Sequence, residues 1–421
     1  MNAATALSPE SVSCPIPSSQ SARLDSLDAT RAFVLGLGVV FHASLSFMPI
    51  FMGWAVQDIS TQSWVMMFVT VSHAFRMETF FLLAGFFSHL SYHRKGAGDF
   101  VRSRLVRIVV PFVFGWFLLR PLMVSGWIMG SASLRGEVDI AAGLIGGFQS
   151  LASLPAGIFT GSHLWFLYYL ALITALTLLG RAVVTATRPW ERRTHRWADA
   201  LVTWLASSPI SLGILVLPTA ALLMCMKSWS MDTPDRSLIP HLPALAVYGG
   251  FFVLGWMLDR QRDAFPKFTQ LTPLRWVLAG IGVATIFWIG GIERDPAHPW
   301  YGWAHVAHAV AYALTMWSLV LLTLGIFRRF CSRPNAAVRY VADSAYWMYL
   351  VHLPVVVWLQ VAVAELPYPG SLKLAFISGV TLVIAWITYD LFVRSTWIGW
   401  ILQGRRMKRE LFPQCLRWFT C

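Results

Sequence analysis

Charge is what this sequence has least of. Asp, Glu, Lys and Arg together make up 13% of its 421 residues, against 57% hydrophobic residues and a mean hydropathy of +0.59. A soluble globular fold with that balance would lack the polar surface to cover its apolar mass, so that class is excluded. Long polar stretches are missing too, which leaves no room for a second, soluble domain, and no internal repeat is visible. Cysteine is scarce: Cys14, Cys225, Cys331, Cys415 and Cys421 show no metal-ligand spacing and, in a reducing compartment, no disulfide framework. Residues 1–22 have neither the basic start nor the apolar core of a signal peptide. Rich in Ser, Pro and Ala, they read as a disordered cytoplasmic tail.

What the chain does have is a succession of apolar runs of membrane-spanning length. Ten candidate spans fall near 30–52, 64–90, 108–130, 163–181, 208–228, 242–258, 276–292, 304–327, 340–364 and 371–392. The expected fold is therefore all-α, a polytopic membrane protein of about ten transmembrane helices. A net charge of +13 would suggest nucleic acid, but the basic residues sit in short clusters between spans. Of 33 Lys and Arg, 26 fall in alternate connecting segments and only five (Arg135, Lys227, Arg236, Arg294, Lys373) in the others. The positive-inside rule then places both termini in the cytoplasm of a multi-pass protein of a bacterial inner membrane, with the lipid bilayer as a partner and no nucleic acid. On this plan residues 23–392 form the membrane domain, and 393–421 are a basic tail resting on anionic headgroups. Residues 197–208 (WADALVTWLASS) read as an amphipathic helix along the inner surface. The outer loop 131–162, with 229–241 and 293–303, is expected to rim an acceptor site.

Ionisable residues inside spans are costly and mark sites by default. In the first span, DATRAFVLGLGVVFHASLS, Arg31 and His42 lie on one helix face, roughly 16 Å apart along the axis, so an Arg31 at one surface puts His42 near mid-depth. The second span, VSHAFRMETFFLLAGFFSHL, brings His73, Arg76 and Glu78 to a similar depth; Glu78 points away from Arg76. His89 reads as interfacial. RSRLVRIVVP places Arg104 and Arg107 one turn apart, a pair suited to phosphate although any inner loop is basic. Arg120 lies inside the third span. SHLWFLYYL puts His163 at the outer end of the fourth, followed by Trp165, as an interfacial or sugar-orienting residue. In SAYWMYLVHLP, Tyr349 and His352 share a face near mid-depth, Pro354 frees a carbonyl there, and Asp343 and Ser344 read as a helix cap. Any one of these histidines, taken alone, is equally compatible with a plain interhelical hydrogen bond.

Taken together and in this order, the Arg31–His42 pair, FRMETFFLLAGFF, RLVR, HLWFL and SAYWMYLVHLP resemble the membrane acyltransferase-3 family. The similarity runs from residue 23 to about 392, and within the family points to members that succinylate osmoregulated periplasmic glucans. It implies an O-acyltransferase that takes an acyl group from cytoplasmic acyl-CoA, succinyl-CoA or acetyl-CoA, with no permanently bound cofactor and no metal. Arg104 and Arg107, with Arg31, are then expected to hold the phosphates of the donor. His42 is expected to act as general base on a sugar hydroxyl, a task suited to an imidazole with an ordinary pKa of ~6.5. Arg76, His73 or His352 would stabilise the oxyanion. An acyl-histidine route stays open beside direct transfer. Glu78, Arg120, His163, Trp165 and Tyr349 complete the expected substrate-binding set, with Arg76 or Arg120 facing the free carboxylate of a succinyl group. Two departures stand out: Ala84-Gly85 replaces the family's usual Ser-Gly, and the esterase-like domain fused to some members is not expected. O-acetylation of lipopolysaccharide or exopolysaccharide, and proton-coupled transport, are the alternative functions.

Overall fold

The computed structural model describes residues 19–133, 136, 138–152, 162–186, 188–234 and 237–409. Most of the expected N-terminal tail, the last twelve residues of the basic tail, and Cys14, Cys415, Cys421, Arg135 and Arg236 lie outside them; residues 19–22 already belong to the first helix.

Among the described residues every regular element is helical. In chain order they are α1 (Ser19–Ser44), α2 (Ser63–Lys95), α3 (Ala97–Arg104), α4 (Val110–Ala132), α5 (Ile140–Gln149), α6 (Trp165–Thr185), α7 (Arg188–Ser207) and α8 (Ser211–Leu223). Then follow α9 (Leu242–Arg260), α10 (Ala264–Phe268), α11 (Pro273–Ile289), α12 (Tyr301–Phe330), α13 (Ala336–Val363), α14 (Gly370–Thr388) and α15 (Trp397–Gln403). A π-type turn, Leu105–Val109, joins α3 to α4, and a second, Tyr389–Arg394, follows α14. Among the described residues nine helices are long and apolar enough to cross a membrane, or ten if α7 and α8, which meet at 110°, count as one broken span. The sequence expectation of about ten spans is thus met, with one change. α8, at 13 residues, is too short to cross alone, because the Ser208-Pro209 break turns the chain into it from the flat, half-exposed α7.

α12 is the most buried span; α1, α2, α8 and α11 pack against it, and α13 packs against α1. α9, α8 and α11 lie on one side and α4, α5 and α14 on the other. Glycines let the helices approach: a Cβ on Gly85 of α2 would run into the Phe252 carbonyl of α9, and one on Gly255 of α9 into the Leu82 carbonyl of α2. Small residues at crossings are how apolar helices gain contact when lipid competes for their surfaces. One cap expectation is corrected. Asn335 caps α13, accepting from the backbone N–H of Ala337 (2.9 Å) and Val338 (3.1 Å). Asp343 lies two turns inside the helix and faces Arg405 instead.

The expected outer loop 131–162 is not a simple rim. Its apolar helix α5 folds back along α4, so that a Cβ on Gly143 would meet Met129 and one on Gly147 the Pro121 carbonyl. Pro121 lies eleven residues from the end of α4, so α5 descends roughly 16 Å beside it. The chain therefore re-enters the bundle before α6 begins, and Leu164 rests against Gly115 in the opposite half of α4.

Lys373, expected in an outer loop, is also buried. Its Nζ donates to Asp58 Oδ1 at 2.8 Å and to the Ala364 carbonyl at 3.3 Å, with both ion-pair side chains at most 2% exposed. Asp58 N–H donates to Ser46 O and Gln62 N–H to Phe47 O, which folds residues 48–62 over the end of α1. Lys373→Met leaves the buried Asp58 carboxylate without its cation, and is expected to cost about 3–5 kcal/mol in thermal unfolding of the detergent-solubilised protein. Adding Asp58→Asn to it should recover most of the loss.

Candidate active site

A cavity of about 1440 Å³ runs through the bundle. At one end it is lined by Arg94, Lys95, Arg104, Arg107 and Arg405; at the other by Trp54, Trp127, Ser228, Ser230, Thr233 and Glu293. Between them stand His42, His73, Arg76, His163, Tyr349 and His352, all on its wall. Three helices, α1, α2 and the distant α13, thus bring the expected mid-depth residues together, as their similar positions along each span required, and the turn before α6 adds His163.

His42 sits at the centre. Its ring lies 5.3 Å from that of His352 and stacks against Trp54 at 5.8 Å. Neither of its ring nitrogens has a hydrogen-bond partner among the described residues, and Nδ1 is fully buried. The other histidines are committed differently. His352 points Nδ1 at the carbonyls of Tyr349 (2.8 Å) and Met348 (3.1 Å), which fixes it as the N–H and leaves Nε2 toward the cavity. His73 is held at both nitrogens, by Tyr312 Oη and by Thr233 Oγ1, each at 3.1 Å. It ties α2 to α12 and to the loop after α8 and is the least free of the four to exchange a proton.

His163 is not at an outer rim. Because the chain re-enters with α5, His163 lies beside His352 at 5.9 Å, and its Nε2 donates to the Leu350 carbonyl at 2.9 Å. That carbonyl is the one Pro354 releases: proline at 354 has no N–H to return to residue 350. The freed carbonyl expected from the sequence therefore exists, and a histidine from another helix takes it. Tyr349 Oη donates to the His163 carbonyl at 2.7 Å, closing the same junction.

Arg76 lies with its guanidinium over the face of Phe41, 4.2 Å from the ring centre, and has no hydrogen bond or ion pair among the described residues. It fits there because position 38 is glycine: a Cβ would stand 3.1 Å from its Nη1. Gly38, Phe41 and His42 form one face of α1, so the cation sits beside the imidazole. Glu78 is fully buried and absent from the cavity wall, with neither carboxylate oxygen hydrogen-bonded. The expected substrate contact from Glu78 is not supported by its position, because α2 turns that face toward α9. Arg120 lines the cavity with its guanidinium over Trp116 at 4.9 Å, and Trp165 does so while packing on Tyr248 at 5.6 Å.

At the basic end Arg104 donates to Ser88 Oγ at 3.1 Å and lies over Phe100. Arg107 carries its side chain to the same mouth, and its carbonyl accepts from Tyr346 Oη. Arg31 is partly occupied: it pairs with Asp28 at 3.2 Å and donates to the Ala342 carbonyl at 2.8 Å, joining α1 to α13. His89, expected to be interfacial, is half-buried near the end of α2, with its Nδ1 2.8 Å from Asp259 Oδ2 of α9.

Several contributors had no clear signal in the sequence. Gln360 donates to the carbonyls of His42 (2.9 Å) and Ala43 (3.1 Å) while accepting from Trp54 Nε1 (2.9 Å). It thereby pins the loop after α1 over the His42 ring. Gly38 alone had a local cue, its place one turn before His42.

Residues 24–390 match the family model described as an acyltransferase domain. The chain belongs to the acyltransferase-3 family. Among curated proteins it is 23% identical to glucans biosynthesis protein C of Salmonella gallinarum over 382 residues, covering 90% of this chain and 94% of that one. The protein of the same name from Salmonella typhimurium is 23% identical over 394 residues, covering 91% and 96%. No solved structure matches. For this family member, an acyltransferase with the helices of a multi-pass membrane protein, the cavity with its four histidines and unpaired arginine is the candidate active site. No group of three or more His, Cys, Asp or Glu among the described residues is arranged to hold a metal.

Proposed function

We propose that this acyltransferase moves a succinyl group from cytoplasmic succinyl-CoA to hydroxyls of a periplasmic glucan. The observation that carries this is the cavity itself, which has guanidinium groups at one mouth, aromatic and hydroxyl side chains at the other, and an unpartnered imidazole between them. Arg104 and Arg107 grip the phosphates of the donor, and the pantetheine arm follows the cavity from the level of Arg31 to His42, roughly 16 Å along α1. Names of the relatives supply the acceptor, and Trp54 with Trp127, whose rings meet at 5.2 Å, offers it an aromatic wall.

His42 takes the proton of the glucan hydroxyl as its oxygen attacks the thioester carbonyl. Negative charge on the tetrahedral oxygen develops beside Arg76, which forms no ion pair among the described residues. Collapse expels the thiolate of CoA, and the imidazolium returns the proton to it, so the products are the glucan ester and CoA.

Mass spectrometry of periplasmic glucans from cells with the gene deleted or restored tests this reading. Succinyl adducts should disappear in the deletion and return with the gene. Loss of acetyl groups in their place would change the donor, and glucans identical in both strains would overturn the acceptor and direct the search to surface polysaccharides.

A further inference from the structure

The family match ends at residue 390, yet the chain beyond it builds part of the basic mouth. Helix α15 packs against both π-type turns, the one that carries Arg107 and the one that follows α14. Leu402, Gln403 and Arg405 line the cavity there. Gln403 Nε2 holds the segment in place, donating to the Asp343 carbonyl (2.6 Å) and to Tyr389 Oη (2.8 Å). Gly404 then turns the chain with φ +75°, a conformation that favours glycine. The Arg107 guanidinium lies so close against it that any Cβ there would occupy the same space. After the turn, Met407 N–H donates to the Arg394 carbonyl (2.8 Å) and Arg394 Nε to the Lys408 carbonyl (2.7 Å).

This arrangement does more than tie down a basic tail. It brings Arg405 to the mouth that Arg104 and Arg107 already line, with Asp343 as the acid it touches, at 3.2 Å. Arg405 is about 60% exposed, so that ion pair is screened and contributes little to holding the segment. A cation held loosely at a cationic mouth is available to an anion with several oxygens.

We propose that residues 397–405 complete the phosphate site of the donor, with Arg405 as a third guanidinium beside Arg104 and Arg107 and Gly404 as the space that lets Arg107 take its place. This rests on reading the basic mouth as the entrance of acyl-CoA. Membership of the family domain alone would miss the contribution, since the segment lies beyond the matched residues.

The test is calorimetric titration of the purified full-length protein in nanodiscs with CoA as the probe. Arg405→Ala is expected to weaken CoA about tenfold, the loss of one charge-assisted contact, and Arg405→Lys to restore part of that. Asp343→Asn separates phosphate binding from a strap. It should leave CoA affinity undiminished or raised, because it releases Arg405 from its acid. Equal losses in Arg405→Ala and Asp343→Asn would make Arg405 only a strap and overturn the proposal. A loss in Arg104→Ala with none in Arg405→Ala would also overturn it while leaving the donor entrance in place. No loss in either arginine variant would remove both the proposal and the entrance on which it rests.

Discussion

His42→Ala is expected to lower acyl transfer to glucan by about 10²–10⁴-fold, the range for a positioned general base, with CoA binding retained. The expectation comes from the division of labour among the histidines. His163 spends Nε2 on the Leu350 carbonyl, His352 spends Nδ1 on its own helix, and His73 is held at both nitrogens. Of these four, only His42 has no hydrogen-bond partner on its ring among the described residues, although Trp54, Phe41 and His352 surround it. Transfer and binding should be measured on one reconstituted preparation, transfer by mass spectrometry of the glucan and binding by titration with CoA. Because the neighbours pack on the ring, His42→Gln serves as a second variant that keeps a polar side chain. If either variant transfers at more than about a tenth of the normal rate, His42 is not the base, and the free Nε2 of His352 becomes the candidate.

Gly85→Val is expected to be the most damaging change outside the cavity. Gly85 and Gly255 give α2 and α9 a reciprocal contact in which each Cα faces the backbone of the other helix. A valine side chain has no rotamer that avoids the Phe252 carbonyl, so the helices must separate and the aromatic packing of Phe81 on Tyr248, at 4.6 Å, opens with them. We expect a loss of about 4 kcal/mol or more, the range in which a single substitution prevents folding. The measurement is the midpoint of thermal aggregation of the detergent-solubilised protein, read by size-exclusion chromatography. Gly249→Val on the same helix is the control: a Cβ there meets nothing within 4 Å, so that variant should stay near the normal midpoint. Equal midpoints for all three proteins would show that the α2–α9 contact tolerates separation.

How far these features could be read in advance depended on their physical origin. Hydropathy and the placing of charge are properties of single segments, and they located nearly all the spans. Depth follows from counting residues along a helix, so the meeting of His42, Arg76 and His352 was legible once each was placed within its span. Features that need two segments were not. The descent of α5 beside α4 is an apolar run of ten residues, too short to signal a span, and only its packing shows that the chain turns back. For that reason His163 lies deep where a simple outer loop would have left it at the surface. Lys373 read as an ordinary outer charge because its partner, Asp58, is 315 residues away. Gln360 and Trp54 likewise carry no signal until the loop they share is folded over His42.

The unpaired Arg76 bears on more than chemistry. A cavity lined from one face of the membrane toward the other threatens the gradients that the membrane maintains. Protons and metal cations crossing it would have to pass the Arg76 guanidinium, with which no carboxylate forms an ion pair among the described residues, and its positive charge opposes their passage. On the proposed reaction, Gly38, by leaving room for the guanidinium, would help to insulate the bilayer at the point where the acyl group passes.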